Sequence, residues 1–157
     1  MTDAITPDQL RFEWKGGDAE RVGRMIMKVI PPEEQVAKAA VILDICRARY
    51  APVPAVEAVA TLARTPSQWR EGHKAFSAVR ALTLREDRQR TNDLYLSLLV
   101  VAEFTAKTIY NATEPLDAFD EESPWRLVAQ ARGMATKVND AAFEELLWQA
   151  IVAGWAS

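Results

Sequence analysis

Three side chains on two neighbouring segments have the chemistry of an acid–base or ligand-binding site. His73 and Arg80 share one face of a predicted helix with large apolar residues, so the pattern directs them towards the core. Those apolar residues are Trp69, Phe76 and Leu84. Glu103 lies among aliphatic residues in the next segment. Because a buried charge is costly unless it is paired, we expect Glu103 to meet Arg80 or His73 across a helix interface.

Such a meeting has two interpretations. The first is structural: a buried ion pair, or a surface pair of Glu103 with Lys107 one helical turn later. The second is a polar pocket with perturbed pKa values, in which Glu103, His73 and Arg80 are the candidate catalytic or ligand-binding groups.

A second candidate site is the acidic segment formed by residues 114–125. It carries five carboxylates and no basic residue; the first basic residue after it is Arg126. Acidic side chains around an aromatic anchor steer and hold a basic protein, so the segment predicts a partner-binding surface. Its predicted contact residues are Asp117, Phe119, Asp120, Glu121, Glu122 and Trp125.

The same segment has a plainer interpretation. It is then a solvated loop in which Glu121 and Glu122 favour the N-terminus of the following helix. The helical pattern places Trp125 opposite the inward face of that helix, so this tryptophan is either folded back under Leu116 and Phe119 or exposed.

The last twelve residues carry no charge, and Trp148 and Trp155 lie seven residues apart on one flank of a predicted helix. This flank either widens the core contact or forms a self-association surface for a homodimer, since large exposed apolar patches are rare on monomers.

Several kinds of chemistry lack their motifs. His73 is the only histidine, and the acidic residues lack di-iron or calcium-loop spacing, so we expect no metal site. No phosphate-binding glycine loop, dinucleotide fingerprint or nucleophile motif is present, so we expect no cofactor, and enzymatic activity is left open. Cys46 lies on an apolar stripe and is expected to be a buried hydrophobic residue.

Composition bears on the partners and the location. The net charge of −3 gives no general attraction for nucleic acid or an anionic membrane, and no aromatic residue lies between Arg80 and Arg90 to stack on bases. Without a signal-peptide pattern or an apolar run of about 20 residues, we expect a cytoplasmic protein away from membranes. The excess of arginine over lysine suits a GC-rich bacterial genome.

The elements that must position these residues are helices. Apolar residues recur at helical spacing, and no stretch alternates as a strand would, which predicts an all-α fold. Residues 91–112 are apolar on nearly every side and therefore predict a central buried helix. We expect one domain, residues 1–157, as an irregular bundle of six to seven helices, with a short HEAT-like stack of helical hairpins as the alternative. Residues 1–17 are a candidate for a loosely packed N-terminal arm.

Three Thr-Pro or Ser-Pro pairs, at residues 6, 65 and 123, predict helix starts.

Two functions follow from these patterns. The favoured one is a small cytoplasmic interaction domain, an adaptor or an immunity- or antitoxin-like protein, that binds a basic partner through the acidic segment. The alternative is an enzyme or small-ligand-binding protein with a polar pocket around Glu103, His73 and Arg80.

Overall fold

The computed structural model describes residues 6–90, 92–114 and 120–153, with only the backbone of Asp120. Within these ranges the chain forms eight α-helices and no strand, so the all-α prediction is confirmed, with more helices than the six or seven expected. The helices are α1 (Pro7–Lys15), α2 (Ala19–Met27), α3 (Pro32–Arg47), α4 (Pro54–Ala63), α5 (Gly72–Gln89), α6 (Asp93–Asn111), α7 (Ser123–Val138) and α8 (Ala141–Val152). Short 3-10 helices at Pro66–Glu71 and Asp120–Glu122 precede α5 and α7.

Helix α6 is the central element of the bundle. It packs against α3, α4, α5 and α7, and no residue between 94 and 111 is exposed. The side chain of Asn92 begins the helix by accepting a hydrogen bond from the Tyr95 backbone N–H at 3.0 Å. A helix surrounded in this way differs from a stack, in which each repeat contacts only its neighbours.

The three predicted helix starts have three outcomes. Thr6 forms the expected capping box with Gln9 at the start of α1. Thr65 does not begin α5; a 3-10 helix follows it, and α5 starts at Gly72. Ser123 is the first residue of α7, but it is buried inside the first turn and is not its cap.

Helix α5 continues past Leu84 through a charged stretch to Gln89, and its C-cap residue Arg90 has a left-handed φ of 50°. Buried Glu86 accepts the backbone N–H of Asn92 at 2.7 Å and thereby links α5 to α6. The inward face of α5 therefore includes Glu86, whereas Leu84, which the pattern placed inward, is exposed.

Helix α1 is docked on the bundle. Leu10 and Trp14 are fully buried, so Pro7–Lys15 is not a loosely packed arm. The same cluster of buried apolar side chains draws on all eight helices and includes Cys46, where burial raises the pKa of the thiol to about 12. In the described part of the chain, no helix is both long and apolar enough to cross a membrane.

Candidate functional site

A cavity of about 340 Å³ opens between α5, α6 and the first turn of α7. We call it the α5–α7 cavity. This volume falls within the range of about 300–1,000 Å³ that is usual for small-molecule sites. Two aromatic rings, three cations, one carboxyl group and one hydroxyl line it: Phe76, Arg80, Glu103, Phe104, Lys107, Ser123 and Arg126.

The expected contact between Arg80 and Glu103 is present in this cavity. Arg80 Nη1 lies 3.2 Å from Glu103 Oε1. The two side chains differ in exposure, since the glutamate is only 6% exposed and the arginine is 51% exposed. The pair is therefore a buried acid with a cation at the cavity mouth, and a ligand can reach the guanidinium from solvent.

Burial controls the protonation of Glu103. It raises the pKa of this carboxyl above the ordinary glutamate value, against the opposing effects of Thr83, Arg80 and Lys107. Glu103 therefore retains its proton to a higher pH than an exposed glutamate would. When protonated, the group can donate a hydrogen bond to an oxygen in the cavity.

Helical periodicity explains how two of the three walls form. On α5, Phe76, Arg80 and Thr83 are spaced by four and three residues, and on α6, Glu103 and Lys107 are spaced by four. Such spacings place side chains on one face, so the contact between α5 and α6 brings both sets together.

The third wall is the start of α7. Arg126 Nη2 lies 2.5 Å from a carboxylate oxygen of Glu122, and this ion pair holds the guanidinium beside the first turn. The N-terminal end of a helix also carries a partial positive charge. Because Glu122 offsets the charge of Arg126, the positive potential of this wall comes mainly from the helix end.

His73 lies next to this cavity and does not line it. Its imidazole is exposed, with ring centroids 6.5 Å from Phe76 and 5.5 Å from Tyr110. The structure thus brings Arg80 and Glu103 together and places His73 in a neighbouring depression.

The structure settles the position of Trp125, which is 5% exposed. Its backbone and Cβ lie so close to Gly23 of α2 that a Cβ there would be about 3 Å away. The side chain is therefore not exposed, whereas Leu116 and Phe119, under which the sequence allowed it to fold, lie outside the described residues. Trp125 is therefore inaccessible to a partner in this conformation.

The remaining predicted contact residues are divided. Glu121 is exposed, whereas Glu122 is half-buried and paired with Arg126. Asp117 and Phe119, and the side chain of Asp120, lie outside the described residues.

Of the predicted self-association pair, Trp148 packs within the chain. Its ring centroid is 5.7 Å from that of Trp14, and the Arg11 guanidinium lies 4.7 Å from the same ring. Trp155 lies outside the described residues, so a homodimer through α8 stays a prediction.

Sequence reasoning did not assign several cavity residues to a site. Phe76 and Phe104 were expected to be core residues, and Ser123 was expected to be a cap. Lys107 had a usable signal, its four-residue spacing from Glu103. Arg126 had none, because the acidic segment separates it from α6 along the chain.

In the described ranges, no three His, Cys, Asp or Glu side chains are grouped as metal ligands would be. Comparisons of the chain with protein-family models, curated proteins and solved structures gave no match.

Proposed function

We propose that this protein binds a small organic anion with an aromatic or apolar body in the α5–α7 cavity. One observation supports the proposal above all: three cationic side chains, a buried carboxyl group and two phenylalanine rings line the same cavity. The cations are supplied by three helices, so the arrangement depends on the packing of the bundle.

The charge of the lining favours an anion. Three cations line the cavity against two carboxyl groups, Glu103 in the lining and Glu122 paired with Arg126, so the local charge is positive although the whole chain has a net charge of −3. The positive charge is therefore local. A concave site that excludes part of the water strengthens such an attraction, because the local dielectric constant is lower than that of bulk water.

The remaining groups favour a ligand with an apolar body. Phe76 and Phe104 offer ring surface for its burial, which contributes about 25 cal/mol for each Å² removed from water. Protonated Glu103 can donate to an anionic oxygen, whereas ionised Glu103 repels it. The affinity is therefore expected to fall as the pH rises through the raised pKa of Glu103.

Binding of simple aromatic probes tests the proposal. Benzoate and phenyl phosphate are titrated into the ¹⁵N-labelled protein at low salt and followed by amide chemical shifts, with benzyl alcohol and benzamidine as neutral and cationic controls. We expect the anions to shift resonances around Arg80, Glu103 and Lys107, and the controls to bind at least about tenfold more weakly. Benzamidine binding as tightly as benzoate, or no anion binding at millimolar concentration, would contradict the proposal.

A matched pair of variants separates a local contact from general charge. Arg80→Gln removes a cation that lines the cavity, and Arg88→Gln removes an exposed cation of the same helix that does not. Loss of a charged hydrogen bond of about 1.5 kcal/mol corresponds to a roughly tenfold weaker affinity, which we expect for Arg80→Gln alone. Equal weakening in both variants would indicate only long-range attraction.

Partner binding by the acidic segment stays a separate proposal. Its support is the exposure of Glu114 and Glu121, the acidic residues nearest its two described ends. The buried Trp125 is no longer part of it. Salt-sensitive co-purification of a stoichiometric basic protein, lost when Glu114 and Glu121 are both changed to Lys, would support this function.

A further inference from the structure

We propose that the ligand site has a second compartment, which binds a planar ring at the far end of the same anion. This inference rests on the proposed function and names a narrower ligand class: elongated anions with a terminal aromatic group. The second compartment is a depression of about 210 Å³ lined by His73, Phe76, Lys107, Tyr110 and Asn111.

The two compartments are adjacent and share part of their walls. Phe76 and Lys107 line both of them, and Lys107 Nζ lies 5.0 Å from the centre of the Phe76 ring. One cation–π contact therefore forms the boundary between the compartments. A single ligand can lie along both, with Lys107 close to its middle.

The second compartment has a chemistry different from that of the first. Its lining consists mainly of rings, with the His73 centroid 5.5 Å from that of Tyr110 and 6.5 Å from that of Phe76. Tilted rings at these distances offer faces and edges to another planar group. An imidazole, a phenol and a carboxamide can also form hydrogen bonds with a ring substituent. These groups suit the aromatic end of a ligand, whereas the cations around Glu103 suit its anionic end.

The position of the second compartment follows from a close approach of α5 to α6. A Cβ added to Gly72 would lie 2.9 Å from the Tyr110 backbone nitrogen and 3.0 Å from the Ala106 carbonyl oxygen. Only glycine permits this approach, because contacts below 3.0 Å force the neighbouring atoms to shift. The contact at Gly72 therefore places His73, the next residue, beside Tyr110.

The test compares a one-ring and a two-ring anion with the same charged group. Benzoate and biphenyl-4-carboxylate are titrated into the wild-type protein by calorimetry, and the ratio of their two Kd values is the readout. We expect the two-ring anion to bind at least about tenfold more tightly, because its second ring is buried in the second compartment.

Two variants assign this preference to the second compartment. His73→Ala is expected to lower the Kd ratio at least fivefold, whereas Lys74→Ala, at the neighbouring exposed position, leaves the ratio unchanged. Because His73 is exposed, its replacement does not threaten folding, and circular dichroism checks this. Both probes carry one negative charge, so the charge lost in the lysine control cancels in the ratio.

The outcomes distinguish the two proposals. If neither anion binds the wild-type protein, the proposed function itself fails. Benzoate can bind while the second ring gives no gain in affinity, or the gain can persist in His73→Ala. Either result contradicts the second compartment and leaves the anion site supported. A shift of the His73 and Tyr110 resonances with biphenyl-4-carboxylate, but not with benzoate, supports both.

Discussion

Two regions of this protein bring arginine, aromatic rings and carboxylates together, with different results. The first, which we call the tryptophan cluster, lies where α1 meets α7 and α8. Arg11 lies 4.7 Å from the ring centre of Trp148, and Arg132 lies 5.3 Å from that of Trp14. The second region is the α5–α7 cavity.

The two regions differ in how deeply their carboxylates are buried. In the tryptophan cluster, Arg11 and Arg132 pair with Glu145 and Glu144, which are both partly exposed, and the guanidinium groups lie against the rings. In the α5–α7 cavity, the carboxylate is the buried member of the pair, the arginine faces solvent and the rings line open space. The same residue types stabilise an interface in one region and line an open cavity in the other.

The largest effect is expected from removing the centre of the tryptophan cluster. Trp14 is fully buried, and its indole N–H has no acceptor among the described residues, so its contribution is packing. Trp14→Ala should lower the free energy of unfolding by about 4 kcal/mol in urea denaturation. Benzoate affinity of the folded fraction should remain unchanged, because Trp14 does not line the cavity.

Phe12→Ala is the matched control on the same helix. Phe12 is 76% exposed, so its replacement should change stability by no more than about 0.5 kcal/mol. A similar loss in both variants would show that α1 is not docked as described.

A smaller, pH-dependent effect on stability is expected from replacing Glu103. Because its pKa is raised in the fold, the stability that it contributes is greatest below the ordinary glutamate pKa and declines as the pH rises through the raised value. Glu103→Gln cannot ionise, so its Tm should exceed that of the wild type by an amount that grows with pH, to less than about 4 °C. Thermal melts from pH 4 to pH 8 measure this difference in Tm between the variant and the wild type. A difference that does not change with pH would contradict the raised pKa of Glu103.

The smallest effect on stability is expected from replacing Glu145, and its sign is opposite to that for Glu103. A hydrogen bond from Arg11 and the charge of the same residue lower the pKa of this partly exposed carboxyl. Its contribution to stability is present above the ordinary glutamate pKa and is lost as the pH falls through the lowered value. Glu145→Gln should therefore lower Tm slightly at neutral pH, and the deficit should disappear in acid. The same thermal melts test this prediction. A Tm deficit that grows in acid would contradict the lowered pKa of Glu145.

The sequence predicted one half of the site better than the other. A charge at Glu103 inside an aliphatic helix required a cation, and the helical position of Arg80 made it a candidate. Periodicity could not place Arg126, because the distance between α6 and α7 depends on packing between segments that are remote in the chain. Periodicity also did not predict that Glu86 of α5 is buried, where its carboxylate accepts the backbone N–H of Asn92.

The amino-acid sequence by itself determined the all-α fold and the central position of α6, since helical spacing and an all-round apolar surface are local properties of one segment. It also determined the capping box at Thr6, a contact between neighbouring residues. Only the tertiary structure decided that Trp125 is buried, that His73 lies beside the cavity and that three helices each supply a cation to it. These features depend on how closely helices approach one another, and the single missing Cβ at Gly23 or Gly72 sets that distance where side-chain patterns alone do not.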